Sequence, residues 1–209
     1  CEVFQLKADK LRIIVRDIGG GFGTKAAIHP EDVLVVYAAK KINRTVKWTA
    51  TRGEEFQASV HGRDQMNYAE LAFDSSGKIL ALRLSTLANT GAYLNNPALM
   101  IPLGIMPKAI TSVYHIPALY YETRCVLTNT APIGAYRGAG RPEGIYQMER
   151  LMDMAAREME ISPVTLRRIN LIRCDSLPYT TQLGEVYDSG NFDEIMHSAV
   201  SKMDWDGFG

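Results

Sequence analysis

The chain contains no apolar run of the roughly 20 residues that a membrane-spanning helix requires. Its longest candidate, around Ile101–Ile110, is interrupted by Pro102, Gly104, Pro107 and Lys108. Charge of either sign is not in excess: Lys plus Arg and Asp plus Glu each number 23, so the formal net charge is zero. With no basic surplus to neutralise phosphates, neither a nucleic acid nor a membrane surface is expected as a partner. Cysteine is scarce, and Cys1, Cys125 and Cys174 show neither CxxC spacing nor a nearby His. A disulfide scaffold and a closed zinc site are therefore not expected, and reduced thiols point to the cytoplasm. The start, Cys1-Glu2-Val3-Phe4, lacks the basic and apolar regions of a secretory signal. No Ser–His–Asp arrangement and no glycosidase-like carboxylate pair is legible. His29, His61, His115 and His197 are scattered without ligand spacing and read as structural.

What is present is globular patterning over 209 residues. The short β-branched run Leu11–Val15 predicts a buried strand. From Pro30, with Glu31 and Asp32 in its first turn, an amphipathic helix carries Val33, Val36 and Tyr37 and ends near Lys40-Lys41. Arg44–Thr51 predicts a second strand, and Glu54-Glu55 a solvated helix start. Gln65–Phe73 and Ile79–Ala88, joined by Asp74-Ser75-Ser76-Gly77, predict a hairpin. Asn89–Val113, with Asn95-Asn96-Pro97, predicts a long shaped loop with helical turns, and Tyr120–Leu127 a further strand. The last third predicts three helices: one opening at Pro142-Glu143, one capped by Ser162-Pro163, and one within Asp188–Met203 with Asn191 as N-cap. Met148, Met152, Met154 and Met159 are expected as core filler. The expected fold is α+β (mixed α/β), β-rich over the first two thirds and helical in the last. The end at Trp205 and Phe208 reads as cut from a longer polypeptide, so residues 1–209 are expected to form one region of a larger subunit.

Two glycine-rich turns could carry chemistry. Gly19-Gly20-Gly21-Phe22-Gly23-Thr24-Lys25 departs from a Walker phosphate loop, because Thr24 and Ala26 flank the Lys where Gly and Ser or Thr are required. It departs from a dinucleotide fingerprint too, since Thr24 stands where the third Gly belongs. What survives is a set of exposed backbone N–H groups that favour an anion or oxo ligand; a tight turn without a ligand is the other reading. In Ala135-Tyr136-Arg137-Gly138-Ala139-Gly140-Arg141-Pro142-Glu143, two guanidinium groups flank a small-residue turn at a helix start, suited to a pyrophosphate or a substrate oxygen. Alternatively Arg141 pairs with an acid and the glycines merely allow close packing. His61-Gly62-Arg63-Asp64 could pair charges across a turn.

Together, and in this order, the two turns resemble the molybdenum-binding large subunit of the xanthine dehydrogenase, aldehyde oxidoreductase and aerobic carbon monoxide dehydrogenase family. Val46-Lys47-Trp48, Thr51–Phe56, Asp74–Leu82 and Thr128–Pro132 extend the resemblance over nearly the whole chain. It implies a molybdenum hydroxylase, inserting a water-derived oxygen into a C–H bond of an aldehyde or N-heteroaromatic. The cofactor implied is molybdopterin with molybdenum, as the cytosine dinucleotide. Electrons would leave through 2Fe-2S clusters to FAD on other subunits or domains. By the same resemblance Gly20, Gly21, Phe22 and Gly23 would present backbone N–H groups to the cofactor. Arg137 would be catalytic, stabilising developing charge on a substrate oxygen. Gly138, Ala139 and Gly140 would leave room beside the metal, with Arg141 near the cofactor or supporting the loop, and no protein side chain would ligate the metal.

Copper-containing carbon monoxide dehydrogenases of this family carry Cys at the position of Gly138. Its purine hydroxylases carry Glu at the position of Ala26 and Phe at that of Ala139. An aldehyde or a small heteroaromatic is therefore the expected substrate. The family's general base and most of its pterin contacts lie in other segments, so the fragment alone is expected to be inactive. A non-catalytic scaffold piece and a nucleotide-binding domain are the competing readings.

Overall fold

The computed structural model describes residues 2–95, 98–205 and 207. Asn96, Pro97 and Phe208, named above, lie outside them, as does Cys1. Helix α1 (Pro30–Ile42) starts as predicted: Pro30 needs no N–H at the first position, and Asp32 accepts from the His29 N–H at 3.0 Å. Helix α2 (Arg52–Ala58) is capped by Thr51, whose hydroxyl accepts from the Glu54 N–H. The N-terminal strands do not form. Residues 11–15 and 45–51 pair with no strand among the described residues, and Ile13, Ile14 and Val15 are exposed. A strand needs a neighbour for its N–H and C=O groups, and among the described residues none runs beside these. The apolar side of α1 is likewise uncovered, with Val36 and Tyr37 exposed.

Burial begins at Val60. Strands β1 (Gln65–Phe73) and β2 (Ile79–Asn89) form the predicted antiparallel hairpin. Asp74 holds its turn, accepting from the Ser76 and Lys78 N–H groups. Strand β3 (Leu119–Val126) joins β2 in parallel, so β2 is central. Leu82, Leu84, Thr86 and Ala88 of β2 point inward with the period of two that a strand imposes. The crossover between β2 and β3 contains a π-helical turn, Ile101–Ile105, and α3 (Met106–Ala109).

Helix α4 (Arg141–Glu158) lies over the inner face, inserting Met148 and Met152. Met154, expected in the core, is 42% exposed on the helix's other side. Helices α5 (Pro163–Asn170) and α6 (Phe192–Lys202) follow. The short pair β4 (Tyr179–Thr180) and β5 (Val186–Tyr187) has no strong sequence signal. Asn170, fully buried, ties α5 to the hairpin: it accepts from the Ile79 N–H and donates to the Gly77 and Leu166 carbonyls. Tyr114 is buried beneath α4 and donates to Glu149 at 2.8 Å, while Arg167 holds Glu149 and Asp153.

Candidate functional site

The end of β2 prepares the second glycine turn. The Asn89 side-chain amide donates to Asp64 at 2.7 Å and Thr130 at 2.9 Å, while its oxygen accepts from the Thr128 hydroxyl and the Gly91 N–H. This polar knot fixes Thr128–Ala131. The next residues pair with a strap beside β1: the His61 N–H donates to the Pro132 carbonyl at 2.9 Å, and the Gly134 N–H to the His61 carbonyl at 2.7 Å. Residues 135–140 therefore leave the sheet at a fixed place and angle, and run into α4.

The first turn meets them there. The Arg137 N–H donates to the Phe22 carbonyl at 2.9 Å, and the Arg137 guanidinium carbon lies 4.9 Å from the centre of the Phe22 ring. Gly23 adopts φ +96°, and a Cβ there would sit 2.7 Å from the Ala135 carbonyl oxygen. Only glycine permits both the backbone conformation and the approach. Phe22 is itself left-handed (φ +49°), and so is Ala139 (φ +42°). Thr24 closes the first turn by donating to the Gly21 carbonyl, and His29 hydrogen-bonds the Thr24 carbonyl. Two segments more than a hundred residues apart thus form one structure. The predicted residues Gly20, Gly21, Phe22, Gly23, Arg137, Gly138, Ala139, Gly140 and Arg141 all belong to it.

At the α4 start, Glu143 accepts from the Gly140 N–H at 3.0 Å. Gly140 also has φ +96°, and a Cβ would stand 2.9 Å from the Met106 backbone nitrogen, so α3 fixes the turn from below. The N–H groups of Gly21, Phe22, Gly23 and Gly138 find no protein acceptor among the described residues. Space beside Gly19 is open, and a Cβ on Gly21 would meet only the Lys25 Cβ, at 3.8 Å. Arg137 is exposed and forms no ion pair among the described residues. Arg141 reaches the Gly138 carbonyl at 3.4 Å rather than an acid. Free N–H donors beside an uncommitted guanidinium make a site for an electron-rich oxygen.

Sequence reasoning missed the support behind the turn. Arg63 donates to the Arg137 carbonyl, stacks 4.6 Å from the Tyr136 ring centre, and lies 3.7 Å from Glu143. Its segment attracted notice only as a possible charge pair. Behind it, between β1 and α4, a cavity of about 660 Å³ is bounded by Gln65, Glu143, Gln147 and Arg150. The histidines serve structure: His61 hydrogen-bonds the Phe56 carbonyl, and His115 packs edge-on to Tyr179. Among the described residues no three His, Cys, Asp or Glu side chains gather as a metal site, and no helix is long and apolar enough to cross a membrane.

This architecture, two glycine turns clasped at the edge of a small α+β body, is that of a cofactor-binding domain. Residues 1–171 match the family model of the molybdopterin cofactor-binding domain, and the chain belongs to that family. It is 36% identical to the nicotine 6-hydroxylase large subunit of Paenarthrobacter nicotinovorans, over 94% of this chain and 24% of that one. It is 36% identical to the carbon monoxide dehydrogenase large chain of Hydrogenophaga pseudoflava, over 94% of this chain and 25% of that one. Among solved structures, quinoline 2-oxidoreductase from Pseudomonas putida 86 superposes with a TM-score of 0.88 at 36% identity, over 92% of this chain and 25% of that one. The chain therefore spans about a quarter of the length of these relatives.

Proposed function

We propose that residues 1–209 are one region of the first molybdenum-cofactor-binding domain of a larger hydroxylase subunit, and that the clasped turns hold the cofactor. The observation that carries this reading is the row of N–H groups at Gly21, Phe22, Gly23 and Gly138 without an acceptor among the described residues, beside the exposed guanidinium of Arg137. The site fits such a group: N–H donors of both turns lack a protein acceptor among the described residues, and space beside Gly19 is open. When bound, molybdopterin, as the cytosine dinucleotide, supplies the oxidation and oxygen transfer.

The chain's own residues bind and orient. Backbone N–H groups of 20–23 and of Gly138 donate to the cofactor, Ala139 and Gly140 leave room beside it, and Arg141 supports the turn through the Gly138 carbonyl. Arg137, steadied over Phe22, stabilises negative charge developing on a substrate oxygen. The substrate class is an aldehyde or a small N-heteroaromatic. Gly138 offers no thiolate for copper, Ala26 no carboxylate and Ala139 no ring to grip a purine. The relatives' names support this: nicotine and quinoline are N-heteroaromatic, whereas the Escherichia coli xanthine dehydrogenase molybdenum-binding subunit is only 27% identical. Iron–sulfur (2Fe-2S) and FAD subunits, with the remainder of the large subunit, are the proposed partners, in the cytoplasm. The isolated chain should not turn over.

In the assembled enzyme, Arg137→Met should lower kcat by roughly a hundredfold, the size of losing one transition-state donor, with molybdenum content unchanged. An unaltered kcat would remove Arg137 from the catalytic role.

A further inference from the structure

Arg63 stands just before β1, on the strap that pairs with Pro132 and Gly134, and touches three parts of the second turn at once. Its Nη2 donates to the Arg137 carbonyl, its plane stacks on Tyr136, and its Nε faces the Glu143 carboxylate that caps Gly140. Glu143 is only 11% exposed, and Arg63 31%. Arg63 itself holds a left-handed backbone, φ +61°, a conformation that costs a non-glycine residue energy and persists only where its surroundings enforce it. The strap also lies tight against the turn: a Cβ on Gly62 would meet the Tyr136 Cβ at 2.8 Å.

We propose that Arg63 is a positioning residue for the reaction, acting through the second turn: its guanidinium sets the place and direction of Arg137 and of the Gly138 N–H. The inference rests on the reading that these turns hold the cofactor. A planar fork is required, because hydrogen bonding to a carbonyl, stacking on a ring and facing a carboxylate together exceed what the point charge of a lysine can do. Arg63 need not touch the substrate or the cofactor. A shift of the turn by about 1 Å is enough to lower turnover.

The test uses the complete assembly carrying Arg63→Lys, with Arg63→Gln as the second variant. Molybdenum content is measured, along with steady-state turnover of an aldehyde or N-heteroaromatic that the wild type oxidises, and the Mo(V) electron paramagnetic resonance signal after dithionite reduction. Arg63→Lys should keep its molybdenum, lose roughly ten- to a hundredfold in kcat per molybdenum, hold KM within about threefold, and show a shifted Mo(V) signal. Arg63→Gln should do the same or worse. A merely structural residue would change yield or melting temperature while kcat per molybdenum and the Mo(V) signal stayed as in the wild type. That result overturns the proposal, and so does loss of molybdenum from both variants, which would make Arg63 a loading residue. Absence of molybdenum from the wild-type assembly would instead sink the cofactor reading beneath it.

Discussion

Gly23 and Gly140 face the same pair of demands on opposite sides of the clasp. Each has φ +96°, and each would drive a Cβ into backbone, the Ala135 carbonyl oxygen at 2.7 Å or the Met106 nitrogen at 2.9 Å. Neither neighbour can swing aside as a flexible side chain could. Gly23→Ala and Gly140→Ala should each cost roughly 1–3 kcal/mol, read as a lower urea midpoint at unchanged slope. Gly19→Ala, with nothing within 4 Å of the new methyl, should stay within about 0.5 kcal/mol of the wild type. Tyr114 makes a prediction of another kind. Burial, and then the neighbouring Glu149 charge, push its phenol above the usual range. The folded state thus holds this proton more tightly than the unfolded chain. The stability it contributes is complete below the ordinary phenol value, near 10, and is lost as the pH rises above it. The denaturation midpoint should therefore fall at alkaline pH, and Tyr114→Phe should make that fall shallower at a cost of about 1 kcal/mol near neutrality.

At the scale of elements, local signals succeeded where the partner is local. The β1–β2 hairpin, α1 with Pro30 at its start, and α6 with Asn191 accepting from the Glu194 N–H are all closed by residues within a few positions. Leu11–Val15 and Arg44–Thr51 have strand composition but no strand beside them among the described residues, and composition does not report whether a neighbour is present. The β4–β5 pair was illegible for a different reason: two residues a side are too few for a period to show. The uncovered N-terminal part also sets an expectation for dynamics. No residue described between 3 and 59 is buried, whereas β2 and α4 hold much of the core. In this chain, amide hydrogens of residues 11–58 should exchange far faster than those of Leu82–Ala88 and Met148–Ala156. Equal protection in both regions would show that the N-terminal part packs more firmly than its exposure indicates.

On the scale of the whole molecule, the two turns were legible as motifs, but their meeting was not. The bond from Arg137 to Phe22 and the ring beneath the guanidinium join residues with no local periodicity to connect them. Arg63 was legible only as a possible charge pair, because its three contacts exist only after the strap has paired with Ile133. The small α+β body thus brings two distant glycine turns together. The chain belongs to the molybdopterin cofactor-binding domain family and spans about a quarter of its relatives; that a larger subunit holds the cofactor there is the proposal. The most direct test is the molybdenum-to-large-subunit ratio of the complete native assembly, purified from cells that make the cofactor. A ratio near one is predicted. A ratio near zero would contradict the account and leave the clasped turns as scaffold.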